Sequence, residues 1–106
     1  MSPDAEPLAR YVFEADVIHW RGPSPYFFAI VPAGVSTEVR RMAKIVSYGW
    51  GAIPVEAQIG ETGFTTSLFP KPEGYLLPLK DEVRRATSVT AGDTIAVSMS
   101  LRPPKR

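Results

Sequence analysis

The chain has no cysteine, which excludes disulfides, thiolate nucleophiles and cysteine-ligated metals. Its single histidine, His19, excludes a histidine-rich metal centre and any mechanism needing two imidazoles. Neither sign of charge is in excess: twelve Lys and Arg stand against eleven Asp and Glu, a formal net charge of +1. A protein that coats DNA needs a concentrated positive field, which this balance does not supply. No apolar run approaches the roughly 20 residues that cross a bilayer. The segment from Met1 to Pro7 is polar and carries Asp4 and Glu6, unlike the basic start and apolar stretch of a secretory signal. A cytoplasmic protein with no membrane partner is expected.

What is present suits one globular unit. A length of 106 residues leaves room for one domain. Hydrophobic residues at 44% and charged residues at 22% match a packed protein rather than a disordered one. The expected domain spans 8–102, with 1–7 and 103–106 as flexible termini. Eleven prolines sit mostly at the ends of apolar runs, which suits short strands joined by tight corners.

Periodicity divides the chain into six strands and two helices. Tyr11, Phe13, Ala15 and Val17 alternate with Glu14 and Asp16, the pattern of a half-buried strand. Tyr26 to Val31 is apolar on both faces, so its outer face needs a cover. From Ser36 to Ser47 the period becomes helical, with Val35, Val39, Met42, Ala43 and Val46 on one face. Ser36 is the expected N-cap and Glu38 the expected first-turn acid. Ile53 to Ile59 alternates again, and Gly60-Glu61-Thr62-Gly63 reads as a hairpin connection to Phe64–Phe69. Pro70 to Gly74 reads as a turn, and Tyr75 to Leu79 as a strand in which Pro78 marks an edge or a bulge. A short helix over 81–88 is expected, with Asp81 as N-cap and Val83 and Ala86 inward. Ile95, Val97, Met99 and Leu101 then alternate cleanly. Many short alternating strands favour closure, which removes exposed edges. The predicted fold is mainly β: a small closed six-stranded barrel with one α-helix at about 36–47 and a short one at about 81–88.

A series of local features carries a family resemblance. They are Gly49-Trp50-Gly51 before a strand, Ile59-Gly60 at the hairpin, and Thr66-Ser67-Leu68-Phe69-Pro70. Gly74-Tyr75-Leu76-Leu77-Pro78-Leu79-Lys80, Val83-Arg84 and Gly92-Asp93 follow in order. The chain from about Arg10 to Leu101 thereby resembles the bacterial domains of unknown function called DUF1905. The resemblance implies a small β-barrel with a helix or two at its mouth and no settled activity. Such domains often occur beside a helical partner domain of the bacteriocin-protection type.

Candidate sites are few. Thr66 and Ser67 are adjacent on one strand, so only one hydroxyl can face the interior. Neither follows a nucleophile elbow, and His19 lies on a distant strand. No catalytic residue, metal ligand or cofactor site is therefore assigned. Lys80 and Arg84 flank the start of the second helix, where first-turn amides attract anions. Pairing of Asp81 or Glu82 with Arg84 or Arg85 is the structural alternative. Arg40, Arg41 and Lys44 form a basic patch on the first helix, a candidate nucleic-acid surface with Tyr48 and Trp50 as stacking platforms, or simply a solvated face. Trp20 and Trp50, each at the end of an element, can close a barrel mouth or plug it.

The leading expectation is a non-catalytic module that binds a small ligand, anionic or otherwise, or a peptide at the barrel rim. Trp50, Thr66, Tyr75, Lys80 and Arg84 are the candidate contacts. A six-stranded barrel is too narrow for a deep internal cavity, which places any pocket at the rim. A nucleic-acid binder using Arg40, Arg41 and Lys44 is the alternative, and an enzyme of unknown reaction the third reading. A monomer and a homodimer both fit.

Overall fold

The structure, a computed structural model, describes residues 9–21, 25–46 and 53–102. Six strands and two helices follow in the order β1 (Ala9–Arg21), β2 (Pro25–Ile30), α1 (Ala33–Val46), β3 (Ile53–Ile59), β4 (Thr62–Lys71), β5 (Gly74–Leu79), α2 (Asp81–Thr87) and β6 (Thr94–Leu101). The strands close in the order β1-β2-β5-β4-β3-β6, and every pairing is antiparallel. The predicted six-stranded barrel is therefore the observed one.

Two long strands each serve two ladders. Ala9–Asp16 of β1 pairs with β6, whereas Val17–Arg21 pairs with β2. Thr62–Leu68 of β4 pairs with β3, whereas Phe69–Lys71 pairs with β5. The barrel is thus two four-stranded sheets that share β1 and β4 at their corners. Val17 marks the first corner: its N–H donates to the Asp93 carbonyl and its own carbonyl accepts from Gly92, both at 2.9 Å. Gly92 reaches this position with φ of +94°, a conformation that favours glycine.

Alternation fills the interior. Phe13, Ala15 and Val17 of β1, Val55 and Ala57 of β3, Leu77 of β5 and Val97, Met99 and Leu101 of β6 all enter one buried cluster. This matches the faces predicted for those strands. Pro54 and Pro78 sit where a ladder ends. Pro54 lies just outside the β3–β6 ladder, and its carbonyl accepts the Arg102 amide at 2.9 Å. Pro78 pairs with Phe28 on one side, while on its other side the β4–β5 ladder has already stopped at Leu76. The predicted edge at Pro78 is therefore local, within a closed barrel.

One helix caps each end. α1 lies over the end formed by Tyr11, Val31 and Tyr75, with Val39 fully buried and Val35, Met42 and Ala43 packed against the core. α2 lies over the opposite end, burying Val83.

Several local expectations are corrected. α1 starts at Ala33 rather than Ser36, because the Ser36 amide already donates to the Pro32 carbonyl at 2.8 Å. Proline and glycine are tolerated there because first-turn amides need no intrahelical partner. Ser36 is accordingly inside the helix rather than its cap, and Glu38 lies beyond the first turn. Lys80, not Asp81, is the N-cap of α2; it is extended, and its carbonyl accepts the Arg84 amide at 2.9 Å. α2 ends at Thr87, followed by Ser88 in the left-handed region, and Ala86 is exposed because this short helix buries only Val83. The β3–β4 hairpin uses only Gly60 and Glu61, since Ile59 pairs with Thr62. Positive φ at Gly60 alone is the mark of a II′-like turn. β4 runs on through Pro70, which pairs with Tyr75.

Candidate functional site

The second corner of the barrel is open. Beyond Leu76, β5 has no ladder to β4, and Thr62–Leu68 has a ladder only to β3. Among the described residues, no backbone hydrogen bond crosses from this stretch to 77–80. Alternate residues of an antiparallel strand direct their N–H and C=O groups to opposite sides. The far edge of Thr62–Leu68 therefore presents backbone groups with no partner among the described residues, along a slot. Thr62 to Thr66 form one wall of that slot, and Pro78, Lys80, Glu82 and Val83 form the other, around about 500 Å³.

Two of the five rim candidates meet here. Thr66 is half-buried on the slot wall, and exposed Lys80 faces it across the opening. Ser67, the outward neighbour of Thr66, is exposed. Glu82 lies beside Lys80, so the slot carries one cation and one anion rather than a positive field.

The other candidates go elsewhere. Tyr75 is buried at the α1 end, where the Arg40 guanidinium lies 5.3 Å from its ring centre. It is the second residue of β5 while Lys80 follows β5, a separation of about 16 Å at the usual rise of a strand. Arg84 is at the α2 end but is engaged. Its guanidinium carbon sits 3.4 Å from the Phe27 ring centre, and Nη1 is 3.8 Å from the Asp81 carboxylate. Its Nε is buried without a hydrogen-bond partner among the described residues, as expected of a guanidinium resting on an aromatic face. His19, the cross-strand neighbour of Phe27, stacks on the same ring at 4.6 Å between centroids. Trp50 and Tyr48 lie outside the described residues. Trp20 does not close a mouth; it stands on the outer wall and is 56% exposed.

The basic patch on α1 is largely committed to internal contacts. Arg40 donates to the carbonyls of Lys71 at 2.9 Å, Pro72 at 3.3 Å and Gly74 at 3.5 Å, tying α1 to the β4–β5 turn. Arg41 is hydrogen-bonded to Glu38 one turn earlier. Its pKa is raised chiefly by that bond. Lys44 is exposed. Among the described residues, no cluster of three or more His, Asp or Glu could hold a metal ion, and no helix is long and apolar enough to cross a membrane.

Sequence reasoning missed the slot because it arises from pairing, not composition. The one available signal was Pro78, which cannot donate to a ladder.

These features define a small six-stranded β-barrel, stoppered by a helix at each end and split between β4 and β5. Residues 13–99 match the family described as Domain of unknown function (DUF1905), and the chain belongs to that family. No curated protein matches it.

Proposed function

We propose that this domain is a non-catalytic binding module that takes an extended peptide into the slot between β4 and β5. The carrying observation is the unpaired edge of Thr62–Leu68 in an otherwise closed barrel. Exposed strand edges are a liability that proteins usually remove. Here seven residues of edge stay open beside a groove of about 500 Å³. A peptide laid antiparallel or parallel to β4 satisfies those groups through main-chain hydrogen bonds, the mode of β-strand addition. Thr62, Phe64 and Thr66 offer contacts to alternate side chains, and Lys80 attracts an acidic residue at the opening. Backbone donors favour a peptide over a free anion, because Glu82 offsets Lys80.

The test is selection from a displayed random heptapeptide library against the full chain, followed by amide hydrogen exchange with a selected peptide. Binding should slow exchange at alternate amides within 62–68. Lys80→Glu should select against acidic peptides. Failure to select any peptide, or protection confined to α1, defeats the reading.

A further inference from the structure

The outer wall of the barrel carries a second concave surface, which meets the slot only at Pro78 among the described residues. Four neighbouring strands, β1-β2-β5-β4, turn apolar side chains outward together. Register places them in rows. Ile18, Phe28 and Pro78 are cross-strand neighbours in one row, and Ile30, Leu76 and Phe69 in the next. The two middle strands supply the floor: Phe28 is 9% exposed and Leu76 4%. The two flanking strands supply the walls, where Trp20 and Phe69 are each more than half exposed. Phe69 leans on Phe28 with ring centres 6.2 Å apart. The resulting trough encloses about 490 Å³, within the range of small-molecule sites.

The trough has polarity. Trp20 lies near the C-terminal end of β1, at the α2 end of the barrel. Lys71 ends β4, at the α1 end. They sit on the first and fourth strands, about 14 Å apart across three interstrand spacings, with further offset along the strands. Among the described residues, Lys71 is the only charged one lining the trough. Its ion pair to Glu73 at 3.8 Å is solvent-exposed and is easily exchanged for another carboxylate.

We infer that the trough binds an apolar carboxylate, with its hydrocarbon body over Phe28 and Leu76 and its carboxylate on Lys71. An apolar floor with one cation at one end complements an anionic amphiphile. A second copy of the chain would meet Lys71 of one protomer only with the apolar wall of the other, unless the two were offset.

The test uses decanoate, decanol and decyltrimethylammonium below their micelle concentrations, read by tryptophan fluorescence and backbone NMR shifts on β1, β2, β4 and β5. Decanoate should bind saturably, at least tenfold more tightly than decyltrimethylammonium, with decanol between. Lys71→Glu should reverse that order while leaving decanol unchanged. Trp20→Ala should weaken all three several-fold without lowering the melting temperature. Equal affinities for the three probes, or no saturable binding, overturns the inference. So does sedimentation showing a dimer that dissociates on Trp20→Ala. Lys80→Glu, which alters the slot, should leave decanoate binding unchanged, so the two sites fail separately.

Discussion

The Ser36 hydroxyl accepts the Tyr75 amide at 3.2 Å and donates to the Val31 carbonyl at 3.2 Å. Val31 and Tyr75 stand one step beyond the last paired residues of the β2–β5 ladder, and one direct bond still joins them, from the Val31 amide to the Tyr75 carbonyl at 3.1 Å. The helix therefore completes the other half of that pair with a side chain. The fit is close. A Cβ on Gly74 would stand 2.9 Å from the Ser36 oxygen and 3.3 Å from its Cβ.

Ser36→Ala leaves a buried donor and a buried acceptor unpaired. It should destabilise the fold by about 1–3 kcal/mol, the usual penalty for such groups. Gly74→Ala displaces the same hydroxyl and should cost a similar amount, about 1–3 kcal/mol as for overpacking. Urea denaturation of both single variants and the double variant measures this. Because the two changes act on one contact, the double variant should lose clearly less than the sum. Full additivity would separate Gly74 from Ser36.

The barrel was legible in the chain because β1, β3 and β6 each bury one face, and a period of two records that directly. α1 was legible through Val35, Val39, Met42 and Ala43, but its first turn was hidden by Pro32 and Gly34, residues that also make turns. The rim site was legible only in part. Lys80 and Arg84 are close in sequence, yet Arg84 turns onto Phe27, a residue 57 positions earlier whose place depends on register. The trough was visible only as the two-faced apolarity of β2. Its other walls come from Ile18, Phe69 and Pro78, which tertiary pairing alone assembles.

Arg84 is expected to act on stability rather than recognition. Its contact with Phe27 is of the cation–π kind, worth about 0.5–2 kcal/mol depending on desolvation. Arg84→Ala should lower stability by that order and leave peptide selection at the slot unchanged. Arg84→Lys should restore little of it, because an ammonium lacks the flat guanidinium face. Thermal denaturation and binding to a selected peptide check the two halves. A binding loss exceeding the stability loss would return Arg84 to the rim site.

Leu77 and Met99 are fully buried inside the barrel. Leu77→Ala should cost about 2–5 kcal/mol, the range for large-to-small core changes. Val12→Ala, on the outer face with Val12 75% exposed, should stay within about 0.5 kcal/mol. Chemical denaturation distinguishes them, and similar losses at the two positions would invert the assigned faces.

Oligonucleotide binding through α1 should be weak, because Arg40 is held by three carbonyls and Arg41 by Glu38. Arg40→Ala should therefore lower stability, by about 1.5–3 kcal/mol as for hydrogen bonds to a charged group. Binding to single- and double-stranded oligonucleotides at about 50 mM salt, where counterion release favours it most, should be undetectable. Tight binding there that falls steeply with salt and disappears in Arg41→Glu/Lys44→Glu would establish the basic-face reading instead.

The alkaline limit should carry the signature of Tyr11. Burial raises its pKa above the ordinary phenol value, the nearby Glu38 carboxylate raises it further, and Arg41 opposes both. In the unfolded chain the phenol titrates at about pH 10. Below that pH both states hold the proton, and the favourable contribution of the neutral phenol is fully present. Above it the unfolded state releases its proton first, so stability falls as pH rises, until the folded state also ionises. Parent and Tyr11→Phe should therefore differ by a constant amount from pH 7 to about pH 9, and the parent should then lose stability faster. Glu38→Gln should shallow the parent's slope, but by less than Tyr11→Phe does, because burial is the larger cause. Parallel stability curves for parent and Tyr11→Phe from pH 8 to 11, measured by urea denaturation, would mean that the phenol ionises as freely in the barrel as in water.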